Sequence, residues 1–170
     1  MSKVIMVTGG SRSGKSVLAE KKAIEYGKRS VLYIATAIPV DEDMKERIRI
    51  HQERRDSEWG TYEGYRDLGE VTVLITNILM EDEKDFDKLS SREIEDLEAQ
   101  VMMELSNIIK GARDGNKTLI LVTNEVGMCV VPSYRLGRIF SDITGKANQL
   151  IASLSDEVYM SISGIPLRLK

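Results

Sequence analysis

The chain has 170 residues, 42% hydrophobic and 30% charged, with a net charge of -3. That length suits one domain with a real core, and the mild acidity gives no electrostatic footprint for nucleic acid. The single cysteine, Cys129, rules out an intrachain disulfide and suits a reducing cytoplasm.

The N-terminal residues 3–8, KVIMVT, form a short apolar run ending in glycines and read as a buried parallel strand. No signal-peptide pattern precedes that run, and no apolar run approaches the roughly 18 residues of a membrane span. Residues 13–26 have apolar side chains at 17, 18, 23 and 24 and stop at Gly27, which predicts a helix. Residues 30–35, SVLYIA, read as a second buried strand. Residues 41–54 predict a charged helix, acidic at its start and basic at its end, as the helix dipole favours. The acidic connection over 81–88, EDEKDFDK, reads as a solvated loop.

A helix over 90–112 carries Ile94, Leu97, Val101, Leu105 and Ile108 on one stripe. Residues 117–123, KTLILVT, predict a further strand, and 134–153 a helix. Residues 157–161 and 165–169 predict two late strands at one edge of the sheet. Strands alternating with helices define an α/β protein, a mostly parallel central sheet flanked by helices, in one domain over 1–170.

The stretch GGSRSGKS comprises Gly9, Gly10, Ser11, Arg12, Ser13, Gly14, Lys15 and Ser16. It fits G-x-x-x-x-G-K-[ST] and lies between a predicted strand and a predicted helix, as that motif requires. Glycines let the backbone wrap a phosphate, Lys15 reaches the β- and γ-phosphates, and the Ser16 hydroxyl suits Mg²⁺. The fold is therefore expected to be a P-loop NTPase of the RecA-like kind. Glu125, just beyond the strand over 117–123, is the acidic residue best placed to assist the metal.

The only histidine, His51, lies in ERIRIHQERRDSEWGTYE among Arg47, Arg49, Arg54 and Arg55. Met44, Ile48, His51 and Arg55 share one helical face, so spacing alone also allows an ordinary structural histidine. A neutral imidazole, with an unperturbed pKa near 6.5, is a competent nucleophile at neutral pH.

The segments VTGGSRSGKS, VLYIATA, RIRIHQERRDSEWGTYE, VTNEVGMCVVP and the C-terminal GKANQLIASLSDEVYMSISGIPLRLK occur in this order. Together they resemble the bifunctional adenosylcobinamide kinase/adenosylcobinamide-phosphate guanylyltransferase family of cobalamin biosynthesis. The P-loop is shared widely, whereas the His51, Arg55, Trp59, Glu63 spacing and the TNEVG block are more specific. The resemblance implies phosphorylation of adenosylcobinamide with ATP or GTP. Transfer of GMP from GTP then follows through a covalent GMP–histidine. It assigns the nucleophile to His51, nucleotide contacts to the P-loop, Ala35, Thr36, Ala37 and Arg55, and guanine recognition to Glu63. It also implies Mg²⁺, a homotrimer and a cytoplasmic enzyme.

After Glu63 this chain is shorter than the family pattern. YRDLGE runs straight into VTVLITNIL, without the expected buried strand ending in an acidic residue; Glu70 falls near the lost position. That strand is expected beside the P-loop strand. The β-branched run over 71–76 predicts a replacement strand, although the resemblance implies a helix there. The shortening motivates a second reading, a P-loop protein that binds nucleotide without catalysis; a third reading is a P-loop kinase for another alcohol with His51 a bystander. Cys129, in GMCVVP, reads as a small buried residue with no redox role.

Overall fold

The computed structural model describes residues 2–27, 30–35, 42–54, 59–63, 71–80, 85–128 and 130–170, with the backbone alone at 35, 43, 44, 47, 48, 51, 54 and 63. Strand β1 (Val4–Gly9) is buried along its whole length. Its side chains alternate between two cores, as a strand covered on both faces requires. Ile5 and Val7 join Ala19, Tyr159 and, partly buried, Leu18, which places α1 (Lys15–Gly27) on one face. Val4 and Met6 join the larger core on the other face. That core is built with α3 (Val71–Leu79), α4 (Ser91–Asp114) and α5 (Arg135–Leu154).

The sheet order is β4-β1-β5-β6, with β4 at Leu119–Asn124, β5 at Glu157–Ile162 and β6 at Ile165–Arg168. β1 runs parallel to β4 and β5, and β6 returns antiparallel to β5 at one edge, as expected. β2 (Leu32–Ala35) pairs in parallel with β3 (Gly60–Glu63) in a second, two-stranded sheet. The sequence reading did not include β3, because GTYE has four residues and no apolar periodicity. The charged helix is α2 (Glu42–Arg54). In α4 the buried stripe is Leu97, Val101, Leu105 and Ile109, with Ile94 and Ile108 packed at its margin. Ser90 caps it: its side chain accepts from the Glu93 N–H, while the Glu93 carboxylate accepts from the Ser90 backbone.

The replacement strand expected over 71–76 is a correction, since those residues form α3. Val71, Leu74, Ile75, Ile78 and Leu79 are all buried, a spacing of 3.6 and not 2. β-branched residues cost only a few tenths of a kcal/mol each in a helix, whereas burying one such side chain is worth about 1.5–3 kcal/mol. Packing against β4, α4 and α5 therefore decides the outcome. Both neighbours of β1 are already strands, β4 and β5, so no place beside the P-loop strand remains for 71–76. In the connection over 81–88, Asp85, Asp87 and Lys88 are exposed while Phe86 packs against the main core; 81–84, like Glu70 and Cys129, lie outside the described residues.

The two ends of the chain are tied at the amino end of the sheet. Glu157, 4% exposed, accepts from Lys3 Nζ at 2.6 Å, Tyr26 Oη at 2.7 Å and Tyr159 Oη at 2.8 Å. The Lys3 hydrogen bond, then those of the two tyrosines, hold its carboxyl down at about 2, against 4.5 ordinarily. A depressed carboxyl stabilises the fold fully above its unfolded pKa and loses that contribution as pH falls toward the folded value. Urea midpoints should therefore decline between about pH 4.5 and 2. Glu157→Gln should flatten that decline and cost about 1–3 kcal/mol at neutral pH, because Lys3 is exposed enough for water to take up its charge. An unchanged acid profile in the variant would remove Glu157 from that role.

Candidate nucleotide-binding site

β1 delivers the chain to Gly9, residues 10–14 turn, and α1 begins at Lys15. The turn is closed by the Ser13 N–H donating to the Gly10 carbonyl at 3.3 Å. Arg12 is exposed and left-handed with φ 56°, and Gly14 has φ 91°, where a side chain is disfavoured. Gly9 is required by closeness: a Cβ there would lie 2.5 Å from the Ser161 carbonyl oxygen. Gly10 has open space around it, so neither contact nor conformation demands glycine there.

The Lys15 ammonium donates back across the turn to the Gly10 carbonyl at 3.4 Å, which places its charge over the loop. The first turn of α1, with Lys15 and Ser16, leaves backbone N–H groups and positive partial charge facing the same space. Ser13 Oγ and Thr8 Oγ1 are buried polar atoms with no hydrogen-bond partner among the described residues. An anion bound over the loop, or the water around it, would satisfy such atoms. The arrangement is a phosphate cradle.

The carboxyl end of β4 lies beside this loop. Asn124 is in register with Gly9, and the Glu125 N–H donates to the Gly9 carbonyl at 3.1 Å. The Glu125 carboxylate accepts from the Gly127 N–H at 2.8 Å, so in this state it closes its own turn. A polar network missed by the sequence reading stiffens this end. Thr123 Oγ1 donates to Asn148 Oδ1, Asn148 Nδ2 to the Asn124 carbonyl, and Asn124 Nδ2 to Thr72 Oγ1, all within 2.7–3.0 Å. Also missed was the contact that the turn joining β5 to β6 makes with the loop, at Ser13 and Gly14. Its Ser163-Gly164 pair between apolar residues signals a hairpin, but the contact with the loop is tertiary.

The other site residues fall on α2 and the second sheet. His51 lies in the last turn of α2. Ala35 and Glu63 stand side by side as register partners at the carboxyl ends of β2 and β3. Trp59, immediately before β3, is buried, with its indole N–H unpartnered among the described residues. Thr36, Ala37 and Arg55 lie outside the described residues, and the side chains of His51 and Glu63 are not described. Arg49, one of the arginines flanking His51, is held along the helix surface by Glu46 and Glu53. Glu46 is held below the usual carboxylate range by that hydrogen bond.

A parallel strand, a glycine-rich turn with a lysine over it, and a helix opening onto the same space define a P-loop nucleotide-binding α/β protein. A family model described as cobinamide kinase / cobinamide phosphate guanyltransferase matches residues 5–169, and the chain belongs to that family. Bifunctional adenosylcobalamin biosynthesis protein CobU of Escherichia coli K12 is 36% identical over 185 positions, spanning 98% of this chain and 99% of that one. The protein of the same name from Salmonella typhimurium LT2 is 36% identical over 188 positions, 98% and 99%. CobP of Pseudomonas aeruginosa PAO1 is 34% identical over 181, 97% and 96%. These alignments are longer than this chain of 170 residues, so the relatives carry residues that this chain lacks. Among solved structures, a KaiC-like protein from Pyrococcus horikoshii OT3 overlaps at TM-score 0.41 and 11% identity, over 93% of this chain and 70% of that one. The flagellar accessory protein FlaH of Methanocaldococcus jannaschii overlaps at 0.43 and 16%, over 99% and 78%.

Proposed function

We propose that this chain phosphorylates adenosylcobinamide with ATP or GTP and then transfers GMP from GTP to the product, giving adenosylcobinamide-GDP. The observation that carries this reading is the phosphate cradle formed by residues 9–16, in a chain whose family membership spans nearly its whole length. In the first reaction the substrate hydroxyl oxygen attacks the γ-phosphorus, the bond to the β-phosphate oxygen breaks, and the hydroxyl proton is released. The loop amides and Lys15 hold the phosphates in line, and positioning of this kind supplies most of the catalysis in phosphoryl transfer.

In the second reaction a His51 ring nitrogen attacks the α-phosphorus of GTP and pyrophosphate leaves. The phosphate oxygen of adenosylcobinamide phosphate then attacks the same phosphorus, and the P–N bond breaks. Ala35, Thr36, Ala37 and Arg55 contact the nucleotide in this scheme, and Glu63 accepts from guanine N1–H and N2–H₂. Mg²⁺ is commonly held by one or two carboxylates plus phosphates and water, and Glu125, whose N–H bonds the Gly9 carbonyl, is the carboxylate beside the loop that would serve. Ser16 would also hold the ion, whose charge would neutralise the β- and γ-oxygens.

The protein is read as one cytoplasmic domain acting as a homotrimer. Among the described residues no helix is long and apolar enough to cross a membrane. The exposed row Ile162, Ile165, Leu167 and Leu169 on the edge hairpin offers an apolar surface for subunit contact.

The second reading, a nucleotide-binding protein without catalysis, is favoured by one observation. Among the described residues the main sheet ends at β4, with no further strand to bring an acidic residue to the loop. Incubation with α-labelled GTP separates the two. A phosphoramidate label is acid-labile and base-stable, so label with that profile supports the enzyme, whereas tight GTP binding without label supports the second reading.

Glu63→Gln should weaken GTP more than ATP, because guanine loses a charged acceptor worth about 1.5–3 kcal/mol in a desolvated site. Competition binding of the two nucleotides measures this, and an equal loss for both would make Glu63 structural.

A further inference from the structure

A phosphate loop works by turning N–H groups toward the anion. Its carbonyls then face outward and need donors from elsewhere. At Ser13 both donors come from near the far end of the chain. The Ser13 carbonyl accepts from the Gly164 N–H at 2.8 Å and from the Ser161 hydroxyl at 2.7 Å. The contact is backbone on backbone: a Cβ on Gly14 would stand 3.2 Å from Gly164 Cα. Ser161 is buried and is the β5 register partner of Gly9, so it touches the loop at both ends. The turn itself is well defined, with Ser163 at φ 51° and Gly164 at φ 82°, as a tight two-residue hairpin requires.

Resting on the reading of residues 9–16 as the nucleotide site, we propose that the β5–β6 turn, through Ser161 and Gly164, positions the phosphate loop in its anion-binding shape before nucleotide arrives. The Ser13 carbonyl and the Gly14 N–H belong to one trans peptide and point in opposite directions. Two hydrogen bonds from the hairpin fix the carbonyl, and thereby aim the Gly14 N–H away from the hairpin and into the loop. Without them the peptide is free to rotate, and binding has to reorder it first, which weakens the apparent affinity. Ser161 acts only through the Ser13 carbonyl, so it is a positioning residue with no nucleotide contact of its own.

The test is isothermal titration of the full chain with GTP, alongside thermal midpoints of the unliganded protein. Ser161→Ala should raise the GTP Kd about three- to tenfold, the value of one buried hydrogen bond. Gly164→Ala should act in the same direction, because its left-handed backbone is disfavoured for alanine although the space beside it is open. Should one variant fail to fold, the other decides. A midpoint shift with the GTP Kd within twofold of the parent makes the contact structural and overturns the proposal. Lys15→Ala is titrated in parallel. If it loses GTP while both hairpin variants bind like the parent, the positioning role alone falls. If Lys15→Ala binds GTP like the parent, the loop assignment falls and the positioning role with it.

Discussion

Lys15→Ala is expected to abolish tight nucleotide binding and, with it, both reactions. Lys15 is the cation that the structure places over the loop, with its ammonium reaching back to the Gly10 carbonyl. In the complex that ammonium would exchange one carbonyl for charged β- and γ-oxygens. Hydrogen bonds to charged groups are worth about 1.5–3 kcal/mol each, so losing two of them predicts an affinity loss of at least about a hundredfold. The loop backbone keeps its other supports, namely the Glu125 N–H on the Gly9 carbonyl and the hairpin on the Ser13 carbonyl, so the variant should fold. Titration with ATP and with GTP reads the loss directly. Turnover of GTP near the parent rate would show that the phosphates bind elsewhere.

The phosphate cradle was legible in sequence because everything that defines it is local. Glycine positions, the lysine and serine at the helix start, and the apolar strand before them fall within fourteen residues, 3–16. Even there nothing in the sequence signals that Gly14 faces the backbone of Gly164, a tertiary contact between residues separated by most of the chain. The helix over 71–79 misled for a related reason. β-propensity describes a pleated, half-buried surface, and these side chains instead fill a pocket among β4, α4 and α5. Register supplied what spacing could not, bringing Ala35 and Glu63 side by side from segments almost thirty residues apart.

His51→Ala should eliminate the acid-labile, base-stable GMP label and lower guanylyl transfer by several orders of magnitude, as loss of a covalent nucleophile does. Phosphorylation of adenosylcobinamide should persist within about tenfold of the parent, because in-line transfer to a hydroxyl needs positioning and no covalent step. The motivation is chemical. This chain has one histidine, so no second imidazole can take over the bond to phosphorus. The surroundings bear on the same step. Arg47, Arg54 and Arg55 neighbour His51 in sequence, and guanidinium forks suit charge developing at the α-phosphate. His51→Asn offers a polar, non-nucleophilic side chain of similar length and should match the alanine variant in labelling, whereas a purely packing role would let asparagine restore part of the activity. Each rate is compared with that of the parent chain, whose sheet lacks, among the described residues, any strand beyond β4 to carry an additional acid. Acid-labile GMP adducts persisting in His51→Ala would place the nucleophile on another residue and return His51 to an ordinary position on a charged helix.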